Sequence, residues 1–338
     1  MRYINGAINT MTISSTERLN HFYQQFSHDD RVLIVINADP DAIACSMAIK
    51  RLLWRKVSMV TVSNINTIDR PDNIAMIRLL GVHLVHVDEI DGLQFNRIVM
   101  VDSQPGHHES VASFTPDVII DHHPRTGAAA PFQDIRPHYG AAATIMTEYL
   151  RAAKIKPSTK LATGLFHAIK TDTSNFERQT LIEDIRAFQF LFKHINVHLS
   201  RKIEQADLKI DFLKYFKIAL QDMRMRKNRI FVHLNRVRNP DVCVLIADFF
   251  MRVHSMNWSI VSGINNNKLI VILRNDGIRK NAGKVAKQSF GQIGTAGGHK
   301  SMARAEIPVS ELKKIINPNE DKNPVRWIIQ QIEKRARK

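Results

Sequence analysis

Three short apolar runs in this chain each end in aspartate. Val32-Leu33-Ile34-Val35-Ile36 leads into Asn37-Ala38-Asp39-Pro40-Asp41, Ile98-Val99-Met100-Val101 into Asp102, and Val118-Ile119-Ile120 into Asp121-His122-His123. Short β-branched runs of this kind read as buried strands of a parallel sheet. In an open α/β sheet, ligands bind beyond the carboxyl ends of the strands. Four carboxylates and two histidines are therefore expected at one sheet edge. Crowded carboxylates repel one another unless a cation neutralises them, so the pattern predicts a divalent-metal site. A single aspartate after a strand more often caps a helix or a turn; the set carries the argument.

The intervening segments support an alternating α/β domain. Ser14-Ser15-Thr16-Glu17 has capping-box spacing and predicts a helix through about residue 26. Helices are expected over 41–55, 73–80 with Gly81 as C-cap, 140–153 and 157–169, with strands at 57–62 and 82–87. Thr171-Asp172-Thr173 then adds a further carboxylate. Residues 186–227 read as a basic helical connector without a strand, after a first domain over 1–185. The remainder, 228–338, reads as a smaller α/β domain. Its expected strands are 230–233, 242–246, 258–264 and 269–273, the last two forming a hairpin around Asn265-Asn266-Asn267. An amphipathic helix is expected over 324–338, ending in Lys334, Arg335, Arg337 and Lys338. The fold class is thus α/β: a doubly wound, mainly parallel sheet domain, a helical connector and a second, smaller α/β domain.

The net charge of +16 points to an anionic partner, with nucleotides or nucleic acid foremost. No apolar stretch is long enough to span a bilayer, and no secretory signal is evident, so no membrane role is expected. Cys45 and Cys243 are far apart in sequence and read as buried thiols; with no C-x-x-C pair, a structural zinc site is not expected. A cytoplasmic setting follows. Oxygen and imidazole ligands suit manganese, magnesium or iron.

Asp39-x-Asp41, Asp102, Asp121-His122-His123 and Thr171-Asp172-Thr173 resemble the four ordered motifs of the DHH phosphoesterases, and Gly297-Gly298-His299 resembles the glycine-glycine-histidine signature of their associated C-terminal domain. Arg274 is similar to that domain's substrate-binding arginine. Together these span roughly residues 31–308. Within the family, the length and layout look most like the NrnA-type oligoribonucleases and phosphatases of adenosine bisphosphate, with RecJ nucleases as larger relatives. The resemblance implies one or two divalent ions, Mn2+ foremost and Mg2+ as the substitute, about 4 Å apart when paired. Asp102 would bridge them; Asp41, His122 and Asp172 would complete one ion's shell, and Asp39 would serve the other. Metal-activated water would attack phosphorus in line. His123 would engage the scissile phosphate, and Asp121 would hold an imidazole in its working tautomer. Arg274, Gly297, Gly298 and His299 would hold the substrate's far end. A homodimer is also in keeping with the family.

The family's first motif usually begins with a metal-binding histidine four residues before the first aspartate; here that position is Val35. An aliphatic side chain cannot ligate a metal, so the ion served by Asp39 loses a ligand. His107 and His108 are the nearest histidines to the Asp102 motif, although an exposed loop pair is the simpler reading. The expected function is metal-dependent hydrolysis of short oligonucleotides, linear dinucleotides or nucleoside bisphosphates in a cleft between the two domains, with longer nucleic acid on the basic surface. The alternative is a nucleotide or single-stranded nucleic-acid binder weakened in catalysis through Val35. An inorganic pyrophosphatase fits the metal motifs but not the glycine-histidine signature.

Overall fold

The computed structural model describes residues 14–107, 109–112, 114–178, 180–205, 210–315 and 324–334. The chain divides into two compact units, Met1–Asp207 and Leu208–Lys338. In the first, the elements run α1 (Ser15–Tyr23), β1 (Arg31–Ile36), α2 (Pro40–Leu52), β2 (Met59–Asn64), α3 (Pro71–Leu80), β3 (Val85–His86), β4 (Arg97–Val101), α4 (Glu109–Ala112), β5 (Val118–Asp121), β6 (Phe132–Ile135), α5 (Ala142–Ala152), α6 (Thr159–Asp172), α7 (Ile182–Phe192) and α8 (Val197–Glu204). Local signals set several boundaries. The Ser14 hydroxyl accepts the Glu17 amide, and Gly81 closes α3 in the left-handed conformation at φ 73°. The strands form one sheet in the order β3-β2-β1-β4-β5-β6, and every pair is parallel. The order reverses between β1 and β4, and a crevice opens at such a switch point.

Strand alternation divides the apolar side chains between two cores. Val32, Ile34 and Ile36 pack with α2, α5 and α6, whereas Leu33 and Val35 pack on the other face with Met100, Ile119 and Val111. Complete burial of side chains of this size contributes about 1.5–3 kcal/mol each, so the doubly buried strands are rigid supports for whatever follows them.

The second unit contains α9 (Ile210–Asp222), β7 (Arg224–Arg226), β8 (Arg229–Arg236), α10 (Asp241–Phe250), β9 (Trp258–Asn265), β10 (Lys268–Asn275), α11 (Ala282–Phe290), β11 (Thr295–Gly298), β12 (Met302–Pro308), α12 (Val309–Ile315) and α13 (Pro324–Lys334). Its sheet has the order β11-β12-β10-β9-β8-β7; β8 and β9 are parallel and the other pairs antiparallel. The expected hairpin is present. Lys268 pairs with Asn265, and Asn266 and Asn267 take φ 46° and 57°, as a two-residue type I′ turn demands.

Several expectations are corrected. The apolar run 242–246 belongs to helix α10 rather than a strand. Val242, Cys243, Ile246, Ala247 and Phe250 fall on one buried helical stripe, and a short apolar run does not by itself distinguish the two periods. Of 82–87, only Val85–His86 forms a strand. The stretch 186–227 is shared: α7 packs on α5 and α6, α9 packs on β8, and β7 is a strand where none was expected. Gly297 and Gly298, expected only as part of the glycine-glycine-histidine signature, lie in edge strand β11. Strands β6 and β12 and helix α12 gave no clear sequence signal. The basic end expected on α13, Arg335, Arg337 and Lys338, lies outside the described residues.

Candidate metal centre

The carboxyl ends of β1, β4 and β5 bring the predicted residues together. Ligand atoms of Asp41, Asp102, His122 and Asp172 all lie within 4.8 Å of one another. His122 is the hub: its Nε2 is 3.2 Å from Asp172 Oδ2, 3.3 Å from Asp102 Oδ1 and 3.8 Å from Asp41 Oδ2. Its Nδ1 lies 3.1 Å from the Tyr139 carbonyl oxygen. A carbonyl only accepts, so Nδ1 carries the proton and Nε2 is turned toward the carboxylates.

Each carboxylate is positioned by its element. Asp39 is the N-cap of α2 and accepts the Ala42 amide at 2.9 Å. Asp41, in the first turn of α2, is fully buried and accepts the Ala142 and Ala143 amides at 2.6 and 2.9 Å. It thereby caps α5, whose own N-cap, Ala141, has no side-chain hydrogen bond, and the amides at that helix end favour an anion. Asp102 follows β4 at φ 56°, a left-handed conformation that aspartate and asparagine tolerate better than most residues. Asp172 is the last residue of α6, and Arg178 donates to its carbonyl.

The electrostatics follow from this crowding. Burial first, then Asp172, pushes the Asp39 carboxyl up to about 6. Burial and Asp172 likewise push Asp41 up to about 7. Burial, Asp39 and Asp41 raise Asp102 well above the usual carboxylate range. Burial alone would lower His122, but Asp102 and Asp172 reverse this and push it up to about 12. These are the marks of a negative cluster short of positive charge. Two atoms in it, His122 Nε2 and Asp102 Oδ1, are buried and, though 3.3 Å apart, are not aligned for a hydrogen bond. Buried polar atoms are normally satisfied. Ligand atoms of four side chains lie within 4.8 Å of one another, and the oxygen and nitrogen set, with His122 deprotonated on binding, fits a divalent cation such as manganese or magnesium.

Asp121 is placed differently. It is fully buried and accepts from Gln104 Nε2 at 2.5 Å, the His122 amide at 2.8 Å, the His123 amide at 3.2 Å and His123 Nδ1 at 2.9 Å. Burial would raise its carboxyl, but His123 and Gln104 more than offset that and hold it below the usual range. Its oxygens are committed to orienting the two histidines. Gln104 was not anticipated from the sequence. Its Oε1 accepts the Thr126 amide and hydroxyl, so one buried amide ties the loop after the histidines to Asp121. Gly140, which precedes α5, was expected only as a helix boundary. A Cβ there would stand 2.6 Å from Thr173 Cγ2 and 3.0 Å from Asp184 Oδ2. Asp184 accepts the Gly140 amide and so anchors the segment that carries the Tyr139 carbonyl.

The remaining predicted residues stand apart from this group. Asp39 joins no set of ligand atoms within the 4.8 Å radius, although its charge raises Asp41 and Asp102. His107 accepts the Gln104 amide at Nδ1, 3.2 Å away, and its ring lies edge-on to His123 with centroids 5.2 Å apart. It is a bracket around the Gln104 turn rather than a free loop histidine; His108 lies outside the described residues. In the second unit, Arg274 Nε donates to Asp248 Oδ1 at 2.6 Å, and His299 is exposed beyond β11. A Cβ on Gly283, at the start of α11, would sit 2.2 Å from the Gly298 carbonyl oxygen, and Gly298 itself has φ 147°. The glycine pair lets helix and edge strand approach that closely.

Val35 is fully buried and packs with Leu33, Met100 and Ile119. A histidine there would bring a polar ring into an apolar core. Val35→His is therefore expected to lower the stability of the metal-free protein by about 2 kcal/mol, read by urea denaturation in chelator. An unchanged midpoint would show that the imidazole reaches a polar partner.

Residues 31–169 match the model described as DHH family, N-terminal domain. An uncharacterized protein of Methanocaldococcus jannaschii is 32% identical over 301 residues, covering 89% of this chain and 61% of the relative. The chain thus spans less than two thirds of that protein. An exopolyphosphatase-related protein from Bacteroides fragilis superimposes with a TM-score of 0.72 at 16% identity, covering 96% of both chains. RecJ from Thermus thermophilus, solved with Mn2+, gives 0.52 at 12% identity over 96% of this chain and 54% of its own. The first unit therefore carries a DHH-family domain. Over 96% of its length the chain shares its fold with the exopolyphosphatase-related protein and with RecJ.

Proposed function

We propose that this protein is a metal-dependent phosphoesterase that hydrolyses short oligonucleotides, linear dinucleotides or nucleoside bisphosphates. The observation that carries the reading is the convergence of Asp41, Asp102, His122 and Asp172, with two buried atoms left without partners, inside a DHH-family domain. Asp41, Asp102, His122 and Asp172 hold one divalent cation; Asp39 and Asp102 serve a second, weaker one. Mn2+ is the ion to try first, because RecJ of this fold was solved with it. When bound, such a cation polarises a phosphoryl oxygen and acidifies a coordinated water.

The chain's own groups do the rest. Asp121 fixes the His123 ring through Nδ1, which orients His123 for contact with the scissile phosphate. Tyr139 holds His122 in the tautomer that a cation requires. In the second unit, Arg274 offers the guanidinium nitrogens not engaged with Asp248, and His299 offers an exposed imidazole, to a second phosphate or a base. Buried, unpaired Cys45 and Cys243 suit a reducing cytoplasm. Among the described residues no helix is long and apolar enough to cross a membrane.

The test is product formation from 5′-phosphorylated diadenylate, with Mn2+ and with chelator. Release of AMP only with Mn2+ is expected. Tight binding of the dinucleotide without turnover would favour the second reading, a nucleotide-binding protein that lost catalysis through the aliphatic residue at Val35.

A further inference from the structure

The second unit carries a basic strip that none of the roles above uses. Strand β7 pairs with β8 so that Arg224 faces Phe231 and Arg226 faces Arg229. Side chains alternate along a strand, and residues opposite one another share a face. Arg224, Arg226 and Arg229 therefore lie on one face of the hairpin, on the side where Phe231 enters the core with Trp258 and α11. Like charges placed directly opposite destabilise a sheet, yet no carboxylate relieves this pair among the described residues. Some cations of the unit are matched, Lys268 and Arg304 with Glu306, Arg238 with Asp211 and Lys314 with Glu311; Arg224, Arg226 and Arg229 are set apart by sharing one face of a hairpin.

Beside it lies a cavity of about 250 Å³ lined by Arg229, Trp258, Lys280, Lys284, Val285 and Ile332, among others, with no carboxylate in its wall. Arg229 belongs to both features. The wall thus combines three cations with Trp258, Val285 and Ile332 and the polar Asn281, Gln288 and Ser289, and its volume suits one unstacked base with its phosphate. Arg224 and Arg226, two residues apart on an extended strand, are about 7 Å apart, close to the interval between phosphates on an extended single strand.

We infer that this strip is a binding site for the backbone of single-stranded nucleic acid, with one nucleotide seated in the Arg229 cavity. Duplex offers no free base to the cavity. An anionic membrane would be met by apolar side chains among the cations, whereas Met225 alternates onto the opposite face of the hairpin. The inference does not depend on the metal centre.

The experiment measures anisotropy of a dye-labelled oligoadenylate of about a dozen residues, with the full chain in chelator, across a salt series. The wild-type protein is compared with Arg226→Ala/Arg229→Ala/Lys284→Ala. Loss of three phosphate contacts should weaken binding at least tenfold and reduce the slope of log K against log salt by about 2. Because Arg229 is half-buried, the exposed pair Arg226→Glu/Lys284→Glu is measured in parallel; it should show the same loss without a change in thermal midpoint. Hydrolysis of the 5′-phosphorylated dinucleotide should be unaltered, which separates failure of this site from failure of the metal centre. Unchanged affinity and slope in both variants would overturn the proposal. So would equal binding of duplex, or a variant defect seen only with phosphatidylserine vesicles.

Discussion

Asp102→Asn is expected to abolish cation binding at the main site and to lower Mn2+-dependent hydrolysis of a 5′-phosphorylated dinucleotide by roughly 10³-fold or more, without loss of the fold. Asp102 contributes one of the two buried atoms that lack a partner, and its carboxylate lies against Asp41, Asp39 and His122. Asparagine is nearly isosteric and tolerates the left-handed backbone found at this position, so the substitution removes charge while keeping shape. The same geometry predicts a gain elsewhere. Without a cation, burial and the neighbouring Asp39 and Asp41 oppose the charged form of Asp102, and a neutral amide removes that cost. The metal-free Asp102→Asn protein should therefore unfold at a higher temperature than the wild type at pH 8, while losing its response to Mn2+. A merely structural Asp102 predicts the opposite sign in chelator. Titration calorimetry with Mn2+, thermal melts and turnover on one preparation read all three quantities, and full turnover by the folded variant would contradict a metal role for Asp102.

The legible part of this fold is the part in which local and tertiary demands coincide. The β1, β4 and β5 runs are buried on both faces, so every residue is apolar and the strand ends are sharply marked by aspartate. The Asn266-Asn267 turn was readable because its left-handed backbone needs that residue type. Elements stabilised mainly by tertiary contacts were not readable. β6 is only Phe-Gln-Asp-Ile, and its Asp134 pairs with Arg136 two residues on and with Arg18, more than a hundred residues away. β7 is exposed along its length and exists because β8 pairs with it. Helix α10 was misread because its composition suits either period.

The same distinction applies to the candidate metal centre. The proximity of Asp41, Asp102, His122 and Asp172 was anticipated from motif order, since each lies at or near the end of an element. Their supports were not. Gln104, the Tyr139 carbonyl and the Ala142 and Ala143 amides act through backbone groups or a neutral amide, which leave little trace in residue type. Asp121 was expected to orient an imidazole; in the structure it accepts from four donors, one of them His123 Nδ1.

Removing the cation should make stability depend on pH in an unusual direction. Asp39 and Asp41 are pushed up to about 6 and about 7 in the folded chain, against an unfolded value near 4. A group raised on folding binds more protons in the native state. Its stabilisation is complete below the unfolded value and is lost as pH rises through the folded one. In chelator, the thermal midpoint should therefore fall between about pH 4.5 and pH 7.5. His122, pushed up to about 12, stays protonated throughout this window and does not offset the trend. Asp121 and Glu204, both held below their usual ranges, lose their contributions only at lower pH. His107 and His233, both lowered by burial and His233 to about 4, oppose the trend up to about pH 6.5. The midpoint is therefore read in a His107→Gln/His233→Gln background. A divalent cation replaces the protons, so its affinity rises with pH over the same interval. At a hundredfold excess over Kd it adds about 2.7 kcal/mol, or roughly 5–10 °C. The Mn2+-induced shift should thus be small at pH 5 and large at pH 7.5, and it should vanish in the Asp102→Asn protein. A chelated midpoint that rises across the window, or an Mn2+ shift equal at both pH values, would mean that these carboxylates are not held together against their own repulsion. The metal reading would then lose its physical basis, whatever the activity assay returned.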